Sequence, residues 1–221
     1  MMMRLAAAPA FALILAACSP ASAPEAPSPV PPEAAVTETE TETETAGVSF
    51  AEGLSALCGQ SFEGRVVSDD PMDDEWRANR LVVHVRDCAP GEFRLPLSVG
   101  EDRSRTWVLT TMGEGGAWEL RHIHLHEDGS PDALTMYGGY SISDPDAWRQ
   151  EFPADQSTKD LFDQEGIPVS KDNIWAMEVR AEEQIFAYEL SRPNRLFRVE
   201  VDLSRPVETP PAHWGEPAAE D

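Results

Sequence analysis

Arg105-Thr-Trp-Val-Leu-Thr-Thr-Met-Gly-Glu-Gly-Gly-Ala-Trp-Glu-Leu-Arg-His-Ile-His-Leu-His126 reads as two β-strands joined by a glycine-rich turn. β-Branched and aromatic residues run from Arg105 to Thr110 and again from Trp118 to His126, and the Gly113 to Gly116 segment between them breaks the pattern. Side chains alternate along a strand, so His122, His124 and His126 share one face while Ile123 and Leu125 take the other. Pairing Met112 with Ala117 sets Trp107 opposite His122, Arg105 opposite His124 and Arg103 opposite His126. A slip of one residue would bring Thr106 and Ser104 alongside the imidazoles instead.

Similar short runs recur on both sides of this hairpin: Ser61 to Val67, Arg80 to Arg86, Phe93 to Val99, Leu134 to Ile142, Ile174 to Val179, Ile185 to Leu190 and Leu196 to Leu203. Turn residues such as Pro90-Gly91 and Asp128-Gly129 separate many of them. Two segments have helical character, Phe50 to Leu57 and Ser157 to Glu165, the second with Ser157 as its cap. The pattern predicts a mainly β fold, an antiparallel meander closed as a barrel or packed as a sandwich, with one or two short helices. Gly59 to Gly64, entering the first strand after a short helix, resembles the start of lipocalin-type barrels. Residues 48–205 form this domain and hold five of the six tryptophans and seven of the eight phenylalanines; residues 206–221 are a Pro-rich, acidic C-terminal tail.

The aligned residues Arg103, Arg105, Trp107, His122, His124 and His126 are the candidate ligand site. Guanidinium groups facing imidazoles repel a dication and favour an anionic or polar ligand. A divalent metal on His122, His124 and His126 is the alternative. At about 3.3 Å per residue the outer two lie roughly 13 Å apart, so one ion would use neighbours plus His84, Glu127 or Asp128. A plain solvated strand face is the third reading. Gly139-Tyr-Ser-Ile-Ser143 departs from GxSxG at its last position and lies in a strand, which argues against a nucleophile elbow. Tyr137-Gly-Gly-Tyr140 is read as a bend or bulge, and the Asp69 to Asp74 run as a solvated turn that lacks the spacing and glycine of an EF-hand. P-loop, HExxH and dinucleotide fingerprints are absent from the sequence.

Upstream, Leu5 to Ala17 is a 13-residue apolar run interrupted by Pro9, too short for a membrane-spanning helix, which needs about 20 residues. Leu15-Ala-Ala-Cys18 resembles the lipobox of bacterial lipoproteins. The resemblance implies removal of residues 1–17 and lipidation of Cys18; several acyl chains on one residue then give durable anchoring. Ordinary cleavage after Ala21-Ser-Ala23 is the alternative. Residues 18–47 are the lipidated cysteine and a Pro/Thr/Glu-rich stretch without lysine, arginine or an aromatic residue, expected to be a disordered tether. In such an exported chain Cys58 and Cys88 are expected to form a disulfide, stabilising by on the order of 3.5 kcal/mol.

The chain carries a formal net charge of −23, and from residue 48 onward 34 acidic side chains face 16 basic ones. That field opposes nucleic acid, whose binding depends on lysine and arginine neutralising phosphates. The segments Asp102-Arg-Ser-Arg-Thr-Trp107, His124-Leu-His-Glu-Asp-Gly129, Tyr137-Gly-Gly139, Pro168-Val-Ser170 and Trp175 resemble a group of exported bacterial proteins with no established activity. The resemblance implies one inherited unit and transfers no catalytic role. The expected function is that of a lipid-anchored cell-envelope protein, periplasm-facing or at the outer membrane, whose β domain binds a small ligand or an envelope partner rather than acting as an enzyme. A metal-dependent hydrolase built on the histidine strand is the rival. Mass spectrometry of the mature chain tests the anchor: an acylated, lipid-modified Cys18 terminus is expected, and an unmodified thiol there or a retained leader is the opposing result.

Overall fold

The computed structural model describes residues 48–113 and 116–216; the expected signal segment, Cys18 and the expected tether lie outside the described residues. Eleven strands appear in chain order: β1 (Ser61–Val66), β2 (Leu81–His84), β3 (Asp87–Ala89), β4 (Glu92–Val99), β5 (Asp102–Thr111), β6 (Trp118–His124), β7 (Tyr137–Tyr140), β8 (Arg149–Pro153), β9 (Ile174–Arg180), β10 (Ile185–Arg192) and β11 (Arg195–Val207). Three short α-helices accompany them: α1 (Phe50–Ala56), α2 (Asp74–Ala78) and α3 (Gln156–Gln164). The antiparallel path runs β7-β6-β5-β4-β2-β1-β11-β10-β9-β8, with β3 paired to β4 alone. Ten strands thus form a nearly closed barrel of the mainly β class expected from the alternation.

The two ends of that path, β7 and β8, meet through sparse bonds. Ile142 N–H donates to the Glu151 carbonyl (2.9 Å) and Asp155 N–H to the Gly138 carbonyl (3.1 Å). A Cβ on Gly139 would overlap the Pro153 carbonyl oxygen, and one on Gly138 the Leu120 carbonyl oxygen. Of the glycine pair read as a bend, Gly139 therefore lets β7 approach β8 where the barrel closes, and Gly138 lets it lie close on β6. α3 covers the same seam. Thr158 Oγ1 donates to the Gly138 carbonyl (2.9 Å) and accepts from the Gly138 N–H (2.8 Å), while Phe162 packs inward against Tyr137 at 5.5 Å between ring centroids. The cap of α3 is Asp155, which accepts from the Thr158 N–H (2.8 Å), in place of the expected Ser157.

Alternation directs the core. Phe93, Leu95 and Leu97 of β4, Trp107 and Leu109 of β5, and Trp118 and Leu120 of β6 all turn inward. α1, held by a Ser49/Glu52 capping box, inserts Phe50 against Trp118 (5.7 Å) and fills one end of the barrel. The Cys58–Cys88 disulfide ties the exit of α1 to β3. Outside, Glu178 is buried between strands and accepts from Arg198 Nη1 (3.0 Å) and Nη2 (2.8 Å) as well as from Arg149. Burial alone would push its carboxyl up, but the Arg198 and Arg149 guanidiniums hold it below the usual range. The tail expected to begin at residue 206 is part of the domain as far as residue 216. β11 runs to Val207, Trp214 N–H donates to the Arg103 carbonyl (3.1 Å), and Ser61 Oγ pairs with Thr209 Oγ1 (2.9 Å).

Gly139→Ala is expected to lower unfolding stability by about 2–3 kcal/mol, because the new methyl group meets backbone rather than a movable side chain. Urea melts read by tryptophan fluorescence check it; an unchanged midpoint would mean that the seam tolerates separation.

Candidate functional site

The hairpin register is the one set by pairing Met112 with Ala117: Trp107 lies opposite His122 and Arg105 opposite His124. Beyond His124 the pairing changes. Leu125 N–H still donates to the Ser104 carbonyl (3.0 Å), but His126 N–H turns to the Ser130 carbonyl (2.8 Å), and Trp214 takes up the Arg103 carbonyl. The third rung of the expected ladder, Arg103 opposite His126, is therefore not formed. The Glu127 to Gly129 turn ends the strand before it.

At the end of the barrel away from α1, a cavity of about 240 Å³ is lined by Arg105, Trp107, His122 and His124 together with residues from other elements. Tyr137 comes from β7, Tyr188 from β10, Arg195 and Phe197 from β11, and Trp76 from α2, whose ring packs on Phe197 at 5.0 Å. Asp73 is 1% exposed and pairs with Arg195, whose Nη1 donates to it at 2.9 Å; Ser68 Oγ donates to the same carboxylate (3.2 Å). This buried pair holds α2 over the cavity. The Asp69 to Asp74 run, read as a solvated turn, thus supplies the latch of the mouth.

His122 is fully engaged. Its Nδ1 lies 3.1 Å from the Tyr137 carbonyl, its Nε2 2.8 Å from the Tyr188 hydroxyl, and its ring stacks on Tyr137 at 4.5 Å. Desolvation, aided by the neighbouring His124 and Arg121, lowers its pKa to about 3. His124 Nε2 lies 3.3 Å from the Tyr137 hydroxyl, and burial with the Arg105 charge lowers its pKa to about 4. Burial pushes both phenols, Tyr137 and Tyr188, above their ordinary value. The wall is therefore made of uncharged imidazoles and phenols. Of the charged lining groups, Arg195 and Asp73 are paired with each other, and Arg105 pairs with Asp102 through Nη1 and sits over the Trp76 ring at 5.1 Å. Among the described residues, Arg105 Nε and Nη2 donate to no protein acceptor.

No protein family, curated protein or solved structure matches this chain. Its own geometry has to indicate what the cavity accepts.

The remaining sequence candidates lie elsewhere. His126 is exposed in the turn, 3.7 Å from Asp132, and Arg103 Nη1 donates to the Ala212 carbonyl (2.8 Å) beneath the C-terminal segment. His84 stands on the outer side of β2, since Leu81 and Val83 take the inner side, and Asp128 is occupied by Ser130. Among the described residues no group of three or more His, Cys, Asp or Glu side chains is placed to hold a metal ion. A larger groove of about 770 Å³ runs along β1, β10 and β11, yet it includes Arg65 and Arg205, whose side chains are 79% and 85% exposed. The smaller cavity has the buried, converging side chains of a site. Sequence reasoning missed Trp76, Asp73, Tyr137, Tyr188, Arg195 and Phe197 as site residues. Only Asp73, in its acidic run, and Tyr137, in the Tyr-Gly-Gly-Tyr run, had been singled out at all.

Buried imidazoles with lowered pKa values make stability pH-dependent in a stated direction. His122, His124 and His213 (lowered to about 4 by burial) stay neutral in the folded chain, whereas unfolded imidazoles take up protons below pH about 6.5. Stability is expected to fall as pH drops from about 6.5 to 5, before carboxylates titrate, by up to about 1.4 kcal/mol per pH unit for each imidazole. Urea midpoints across this range check the slope, and His122→Gln should flatten it; a flat wild-type profile would mean that the imidazoles are solvated.

Proposed function

We propose that the β domain binds a small anionic or polar ligand in the cavity at the mouth of the barrel, as a cell-envelope protein carried on a lipidated Cys18. The observation that carries this function is Arg105, a guanidinium with uncommitted Nε and Nη2 donors at a cavity walled by aromatic rings, neutral polar groups and the paired Arg195 and Asp73. Of the two guanidiniums at the cavity, Arg195 is taken up by Asp73 and Asp70, whereas Arg105 meets a carboxylate, Asp102, through Nη1 alone. The remaining Arg105 donors favour an anionic or other acceptor group over a cation. The apolar rings supply burial, and few polar groups supply orientation, the usual division of labour in small-molecule sites. Nothing in this arrangement supplies a nucleophile or a base suited to neutral pH. His122 and His124 have pKa values lowered to about 3 and 4, far below the range in which a general base works best.

Trp76 and Trp107 line the cavity, so their fluorescence should report occupancy. Titration of the full chain with small carboxylates is expected to give saturable quenching. Arg105→Leu is expected to weaken binding about 10- to 100-fold, the value of one charge-assisted hydrogen bond. Saturable binding that is indifferent to Arg105, or no response to any small carboxylate at millimolar concentration, would remove the proposal.

A further inference from the structure

We infer that the ligand of this cavity is a small aromatic acid that also carries a hydrogen-bond donor, with its carboxylate on Arg105 and its donor on the Tyr188 oxygen. This inference rests on the binding function proposed above and deepens it from the direction of the hydrogen bonds. A backbone carbonyl can only accept, so the Tyr137 carbonyl, 3.1 Å from His122 Nδ1, requires the proton on that nitrogen. The imidazole is neutral in its buried setting, which leaves Nε2 as a bare acceptor. The Tyr188 hydroxyl, 2.8 Å away, must then donate its proton to Nε2. Its oxygen retains only lone pairs, and Tyr188 and His122 both stand on the cavity wall.

The two polar ends of the site therefore have opposite hydrogen-bond sense. Arginine has donors and no acceptor, so Arg105 selects a carboxylate or another acceptor. The Tyr188 oxygen selects a hydroxyl or an N–H; a fluorine, an ether oxygen or a second carboxylate would set lone pairs against lone pairs. Between these ends the wall is aromatic, with Trp76, Trp107, Tyr137 and Phe197 around a space of about 240 Å³. Pockets for drug-sized ligands run from about 300 to 1,000 Å³. A single ring with short substituents matches the smaller space.

The test is calorimetric titration of the full chain with benzoate, 3- and 4-hydroxybenzoate and 3- and 4-fluorobenzoate, on the wild type and on Tyr188→Phe. One of the hydroxybenzoates is expected to bind about 3- to 10-fold tighter than benzoate and its fluoro counterpart, the value of one neutral hydrogen bond. In Tyr188→Phe that preference should collapse to near unity. Should the variant fail to fold, the wild-type comparison decides alone. Equal or fluoro-favoured binding by the wild type overturns the donor assignment and leaves the binding function standing. Absence of binding by every benzoate, with other small carboxylates still bound through Arg105, overturns the aromatic assignment; absence of all carboxylate binding removes both.

Discussion

Closure of the sheet at the β7–β8 seam is the constraint on which the site depends. A sheet with free edges leaves rows of unpaired backbone groups, and closing it requires two chain segments to come nearer than a side chain at Gly139 would permit. Thr158 then bonds both the N–H and the carbonyl of Gly138, fixing the seam from outside. The residue immediately before this glycine pair is Tyr137. Its carbonyl sets the protonation of His122, its ring stacks on the same imidazole, and its hydroxyl meets His124. The hydrogen-bond character of the cavity is thus decided at the seam.

The interior is richer in polar groups at one end than at the other. Around α1, Phe50, Trp118 and Phe93 fill the barrel with rings, and the Trp118 indole N–H donates to the Pro145 carbonyl. At the opposite end an imidazole, two phenols and an arginine are buried or half-buried. Such groups are tolerated because each imidazole nitrogen of His122 has a partner. The strongest charges are paired off: Glu178 with its arginines on the outer wall, and Arg195 with Asp73 at the latch beside the cavity. Pairing Arg195 and Asp73 this way leaves Arg105 as the lining group with donors to spare.

Legibility in the sequence followed the range of the interactions. Register in the β5–β6 hairpin was readable because a short turn links its two strands, so counting back from Met112 and Ala117 placed Arg105 beside His124 and Trp107 beside His122. The same counting failed at His126, where Asp128 and Gly129 end the strand and the C-terminal segment replaces it along β5. β8 was missed because Arg149-Gln-Glu-Phe-Pro153 is mostly polar. Gln150 and Phe152 face inward, and Arg149 and Glu151 join the ion pairs outside. α2 was hidden inside an acidic run whose Asp73 is buried only because Arg195, 122 residues later, comes to meet it.

From its own alternation, turn residues and cysteines the sequence determined a mainly β chain, the placing of the histidines on one face of their strand and the pairing of Cys58 with Cys88, since these depend on neighbours along the chain or on cysteine number and setting. Tertiary structure alone decided that two of the three histidines are enclosed, that Tyr188 and Tyr137 satisfy them, and that Arg105 is left beside a cavity. Those outcomes depend on which distant strands become neighbours when the barrel closes, a matter of long-range packing that no local pattern encodes.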